Sequence, residues 1–171
     1  MPRMPALRKH SGIIAAALHQ MTIMPTLQWD HPQPHLVHVT VQDQHIDLMR
    51  HTNNVVYLQW LEELAWSHSI ALGIGPADYE AAGHGMVVRQ HELNYLLATR
   101  LGERLALATW LTAMDRLTMR RHYQFIRLDD QVTVFRGSTL FVCVDIAQGK
   151  VRRMPAAFSQ AYLAALTPQI L

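Results

Sequence analysis

Between Asp47 and Glu63 the chain sets a carboxylate, an imidazole and two carboxamides against the start of a mostly apolar helical pattern. The run is Asp47-Leu-Met-Arg50-His51-Thr52-Asn53-Asn54-Val-Val-Tyr57-Leu-Gln-Trp60-Leu-Glu62-Glu63. These residue types carry acid–base or nucleophilic chemistry. A helix N-terminus holds roughly half a positive charge and several unpaired N–H groups. A carbonyl directed at those groups is polarised, in the manner of an oxyanion hole. Asp47 lies one short loop earlier, where a general base or nucleophile would act. Each residue also has a plainer reading. Asp47 alone fits a turn aspartate, His51 a loop histidine bonded to backbone, and Asn53 a helix N-cap.

The elements that must position these groups follow from periodicity. His35 to Val41 interleaves apolar and polar residues and predicts a first strand. Asp43 to His51 predicts a loop, with Thr52 or Asn53 as N-cap of a helix reaching about Leu72. Tyr57, Trp60, Leu61, Leu64, His68 and Ala71 repeat at three- and four-residue spacing, giving one buried stripe. Gly73, Gly75 and Pro76 end it. Strands are predicted over Met86–Leu96, Glu103–Ala113, Leu117–Leu128 and Gln131–Ile146, the last bent by a bulge at Gly137. In the third of these, Leu117, Met119, Tyr123 and Phe125 share one face, and Thr118, Arg120, His122 and Gln124 the other. A short helix over Ala156–Ala165 closes the chain. One long early helix followed by strands at hairpin spacing is an α+β pattern. Its simplest packing wraps a curved antiparallel sheet around that helix. Strand 131–146, with its apolar face, is the expected edge for pairing between copies.

The 171 residues suffice for one domain, half of them are apolar, and the formal net charge is only +2. Arginines are scattered without a basic block, which disfavours nucleic acid as a partner. Cys143 is the lone cysteine, so no intrachain disulfide forms, and a reducing, cytoplasmic setting is the expectation. No apolar run approaches the ~18 residues of a membrane span. Residues 1–30 differ from the rest, with no acidic residue before Asp30 and an apolar stretch from Gly12 to Leu18. They predict a flexible or short helical extension, or an upstream stretch ahead of a start at Met21 or Met24. The domain is expected over 35–168.

The Asp47 run resembles the signature of hotdog-fold acyl-CoA thioesterases, the 4-hydroxybenzoyl-CoA thioesterase-like family. That pattern is roughly Asp-x-x-Gly-His-x-Asn-Asn-x-x-Tyr-x-x-(aromatic)-x-Glu, and Arg50 alone departs from it, at the glycine. Leu93-Asn-Tyr95-Leu96 with Gly102-Glu103, and Gly149-Lys150-Val-Arg152-Arg153-Met-Pro155, are similar to two weaker family stretches. The resemblance covers about residues 36–165. It implies a hotdog fold that acts as a homo-oligomer, dimer or tetramer, and hydrolyses an aromatic or fatty-acyl CoA thioester without a cofactor. It also implies Asp47 as the catalytic carboxylate and the Asn54 amide as oxyanion donor, with His51 orienting water or the acyl group. Glu62 matches the family's helix glutamate, an alternative carboxylate, and Glu63 beside it is the lesser candidate.

Around them, Arg50, Asn53, Tyr57 and Trp60 are candidate substrate contacts. Lys150, Arg152 and Arg153 are candidate cations for the phosphates of CoA. A glycine at position 50 would permit positive φ. Arg50 demands an ordinary backbone or strain, and adds a cation able to pair with Asp47. Eleven histidines invite a metal reading, but His31, His35 and His38 fall in a Pro-rich lead-in and no ligand spacing such as His-Glu-x-x-His occurs, so no metal is expected. No Gly-x-Ser-x-Gly elbow is present. Two other readings stand beside hydrolysis: a non-catalytic hotdog domain binding an acyl ligand or protein partner, and, ranked last, a hotdog hydratase.

Overall fold

The computed structural model describes residues 26–166. In chain order they form β1 (His35–Thr40), α1 (Asn54–Ala71), α2 (Pro76–Ala82), β2 (His84–Tyr95), β3 (Arg104–Met114), β4 (Thr118–Arg127), β5 (Thr133–Asp145) and α3 (Ala156–Ala164). The five strands make one antiparallel sheet in the order β1-β3-β4-β5-β2. This sheet wraps around α1, and the arrangement is the hotdog fold.

Alternation along the strands dictates which side chains meet the helix. Leu105 and Leu107 of β3, Tyr123 and Phe125 of β4, and Phe135 of β5 face Val56, Tyr57, Trp60, Leu61 and Leu64 of α1, forming one buried cluster. The predicted helical stripe is therefore the core-facing one through His68, whereas Ala71 is exposed. A second cluster joins Ile74, Leu111, Met119 and Cys143 to Phe158 and Tyr162 of α3. Truncating a side chain such as Leu61, 1% exposed, to alanine would cost about 2–5 kcal/mol through lost burial and the cavity left behind.

Three features differ from the periodicity. Pro76 opens a helix as well as ending one, because a first helical position needs no N–H. Asp78 Oδ2 accepts from Gly75 N–H at 2.8 Å and caps α2, which the sequence presents only as a loop. No bulge falls at Gly137, which pairs regularly with Leu93 and Tyr123. Register shifts instead lie between Val88 and Gln90, between Leu111 and Ala113, and opposite Phe125 and Ile126. Gly137 is needed for space, since a Cβ there would sit 3.0 Å from the Phe135 ring and 3.2 Å from Leu93. The edge also moves: β5 lies between β4 and β2, so the expectation for strand 131–146 is corrected, and the open edge beside β5 is β2.

The expected extension over residues 1–30 lies outside the described residues as far as residue 25. Its last residues pack on the sheet's outer face. Gln124 donates to the Gln28 carbonyl at 3.0 Å and accepts from Asp30 N–H at 2.8 Å. Arg136 holds the Asp30 carboxylate at 2.6 and 3.0 Å, and His31 stacks on Trp110. Among the described residues no helix is long and apolar enough to cross a membrane.

Candidate active site

The loop from Asp47 to His51 is closed by a bridge between Ile46 and Thr52. Asp47 N–H donates to the His51 carbonyl at 2.9 Å, and Arg50 N–H donates to the Asp47 carbonyl at 3.0 Å. The carboxylate completes the turn: Oδ1 accepts from Met49 N–H at 2.8 Å and, more weakly, from His51 N–H at 3.4 Å. Oδ2 takes no hydrogen bond from a described residue. One oxygen thus fixes the turn and the other is not engaged by it.

Arg50 has φ 59°, so the backbone keeps the left-handed geometry that glycine would adopt freely. An ordinary backbone, one of the two possibilities for this position, is excluded by that angle. For a non-glycine residue the left-handed region costs roughly 1–2 kcal/mol. The Ile46–Thr52 bridge and the Asp47 bonds over-determine the turn and hold it there. The Arg50 side chain is exposed and forms no ion pair with Asp47.

Behind the loop, Tyr57 Oη and Thr99 Oγ1 share a hydrogen bond of 2.9 Å, and Thr99 Oγ1 donates to Thr52 Oγ1 at 2.6 Å. Thr52 N–H reaches the Thr99 carbonyl at 2.8 Å. All three residues are buried. This hydroxyl chain ties the loop to the β2–β3 connection. Burial pushes the Tyr57 phenol above its usual range, so it remains a neutral partner. Tyr57 and Trp60 are core residues packed on Phe125, and neither lines the cleft described below.

Asn53 is the N-cap, its Oδ1 accepting from Val55 N–H at 2.9 Å. Val56 N–H bonds to the Asn53 carbonyl at 2.9 Å. Asn54 N–H has no bond to any described residue and is the free amide at the helix start. Tyr95 of β2 donates through Oη to the Asn54 carbonyl at 3.4 Å, a long bond that links the edge strand to this end of the helix. Asp47 and His51 thus sit in the loop closed by the Ile46–Thr52 bridge, and Asn53 and Asn54 at the start of α1 directly after it. The half-buried His51 contributes backbone bonds only.

A cleft of about 410 Å³ runs beside α1, between the helix and the β2–β5–β4 part of the sheet. Val55, Gln59 and Glu62 line its helix side, Val88 and His91 its edge-strand side, and Ser69 and Arg121 its far end. Glu62 is exposed and faces this cleft; Asp47 is not among its lining residues. Lys150, Arg152 and Arg153 are not brought to the loop. Arg152 N–H bonds to the Cys143 carbonyl, whereas Leu96, next to the Tyr95 that reaches Asn54, bonds to Val134. The two positions on β5 lie nine residues apart, about 30 Å at ~3.4 Å per residue.

Arg121 is the functional candidate that sequence reasoning passed over. Strict alternation places it on the inner face with Met119, Tyr123 and Phe125, and that parity was the available signal. It is 1% exposed. Its Nη1 donates to His68 Nδ1 at 2.7 Å. Burial, then the Arg121 charge, hold the His68 imidazole down to about 3, so His68 is a neutral acceptor.

The fold accords with what the chain is similar to. The profile of the thioesterase-like superfamily matches residues 39–162. The chain belongs to that superfamily. Among curated proteins, the L-carnitine dehydrogenase/betainyl-CoA thioesterase of Agrobacterium fabrum is 29% identical over 116 residues, covering 68% of this chain and 24% of the relative. The chain thus spans about a quarter of that relative's length. Among solved structures, a Staphylococcus aureus protein in complex with CoA superposes with TM-score 0.73 at 13% identity, over 81% of this chain and 89% of that one. The 1,4-dihydroxy-2-naphthoyl-CoA thioesterase of Synechocystis superposes with TM-score 0.70 at 14% identity, over 77% and 96%. At these identities the two structures speak for the fold.

Proposed function

We propose that this member of the superfamily hydrolyses an acyl-CoA thioester to the free acid and CoA. The observation that carries the reading is the joint geometry of the Asp47 turn and the start of α1. A carboxylate with one oxygen engaged by backbone and the other without a bond from a described residue lies one short loop before a helix whose first amide, Asn54 N–H, is unengaged. The thioester carbonyl accepts from that N–H and is polarised by the helix end. Asp47 then acts on the acyl carbon directly or through a water, and we assign His51, four residues along the same loop, to orient that water. As a general base Asp47 would contribute on the order of 10²–10⁴ in rate.

A second carboxylate reading has its own observation: Glu62 lines the cleft that would take the acyl group, while Asp47 does not. A second copy bears on this. β2 has an open edge, with Val87 43% and Val88 49% exposed, and pairing two such edges would extend the sheet and cover the mouth of the cleft. We therefore propose a homo-oligomer in which the site is completed across the β2 edge. The cations at Lys150, Arg152 and Arg153 would serve CoA in such a site only if a second subunit brought them there.

The test is release of free CoA, followed with a thiol reagent, across short, long and aromatic acyl-CoAs, with betainyl-CoA included because a relative carries that name. Turnover of at least one supports hydrolysis. A folded protein that turns over none, yet binds acyl-CoA, is the non-catalytic acyl-binding domain instead.

A further inference from the structure

Among the described residues no counter-charge pairs with Arg121, a buried cation. Nη1 donates to His68 Nδ1 at 2.7 Å and to Thr109 Oγ1 at 3.4 Å, and Nη2 to Ser69 Oγ at 3.5 Å. Its Nε–H is buried without a partner. Every acceptor is a neutral hydroxyl or imidazole. The ion pairs among the described residues belong to Arg104, Arg127 and Arg136, all elsewhere. Burying a guanidinium this way is unfavourable unless a charge completes it. The surroundings are shaped for a polar group: Tyr162 Oη donates to Ser69 Oγ at 3.1 Å and shares a 2.7 Å bond with Tyr79 Oη. Arg121, Ser69 and Tyr79 also line the cleft, and Ser69, which Arg121 reaches, lies well along α1 from Val55 on the same wall.

We infer that the cleft accepts an acyl group bearing a carboxylate at the end remote from the thioester, and that Arg121 is the counter-ion that selects it. This rests on the thioesterase reading above. The span is fixed by the helix: Val55 and Ser69 are fourteen residues apart, about 21 Å at ~1.5 Å per residue. The preferred chain is therefore one long enough to run beside most of α1. Its walls there are apolar, with Leu58, Ala65, Met86 and Phe141, and suit a methylene chain between two polar ends.

The experiment compares glutaryl-, adipoyl-, dodecanedioyl- and hexadecanedioyl-CoA, each with the methyl-ended acyl-CoA of equal carbon count. At the matching length kcat/KM is expected to favour the carboxylate about ten- to hundredfold, the discrimination of one charge-assisted hydrogen bond. That ratio is expected to fall to about one in Arg121→Met and to survive in part in Arg121→Lys, which also serves should the methionine variant fail to fold. Preference for the methyl-ended partner at every length, or a ratio unchanged by these substitutions, overturns the proposal. If neither set is turned over, the thioesterase reading fails separately, and the same intact pairs are compared by thermal shift. A larger rise in Tm with the carboxylate partner, lost in the variants, supports Arg121 as the counter-ion; equal shifts overturn it.

Discussion

Two residues of the loop pull in opposite directions. Asp47 spends one oxygen on the turn, and Arg50 occupies a backbone angle suited to glycine. The motif spacing made Asp47, His51, Asn53 and Asn54 legible as a group, because the contacts that assemble them are local in sequence. Arg50 was legible only as a departure, since its φ is imposed by bonds around it and not by its own preference. Replacing Arg50 with glycine is expected to leave stability equal or raise it by up to about 1 kcal/mol. The relief of left-handed strain is partly offset by a more flexible unfolded chain. Arg50→Val is expected to lose roughly 1 kcal/mol or more, a β-branched side chain being worse still at positive φ. Urea unfolding of both variants measures this, and a neutral Arg50→Val would show that the turn is not left-handed. Arg121 was missed for a different reason. A charge on a core-facing parity runs against the apolar pattern, and its partners His68 and Ser69 lie more than fifty residues away in sequence.

At the scale of elements, periodicity carried the helix and all five strands to within a few residues of their ends. Buried stripes and alternating strands record one-sided burial directly. The order of strands does not leave such a record, since β2 and β5 pair across the intervening β3 and β4. That is why the apolar strand 131–146 was expected at the edge but lies inside the sheet, and why β2 proved to be the open edge. Self-association through β2 makes a concrete prediction. Val87→Lys places like charges across a pairing of two copies and is expected to shift the protein toward monomer at micromolar concentration, read by light scattering after size exclusion. A wild-type protein that is monomeric, or a variant that assembles unchanged, contradicts edge pairing.

For the whole molecule, the polar seam from His35 through His68 to Arg121 contributes to the response to acid. His35 stacks on His68 at 5.0 Å, and burial is the leading cause that lowers both imidazoles. His31, His91 and His122 are shifted in the same direction by burial. In the unfolded chain these groups gain protons below about pH 6.5, whereas folded His68 resists until about 3. The stability these histidines supply is therefore complete above pH 6.5 and is lost as the pH falls toward 3. His68 alone accounts for about 2 kcal/mol by pH 5, at ~1.4 kcal/mol per unit. His68→Gln keeps an acceptor without the titration, and is expected to flatten the slope of Tm between pH 6.5 and 4. A slope identical to wild type would mean that His68 is not the group responsible. The proposed hydrolysis turns on the carboxylate of the loop. The most direct measurement is the kcat for CoA release by Asp47→Asn beside Glu62→Gln, using the best acyl-CoA found. The asparagine Oδ1 still accepts from Met49 N–H, so the turn survives while the charge is lost. A fall of about 10²–10⁴ in Asp47→Asn, with Glu62→Gln within a few-fold of wild type, is the predicted result. Full activity in Asp47→Asn, with collapse in Glu62→Gln, would contradict it and move the catalytic carboxylate onto α1.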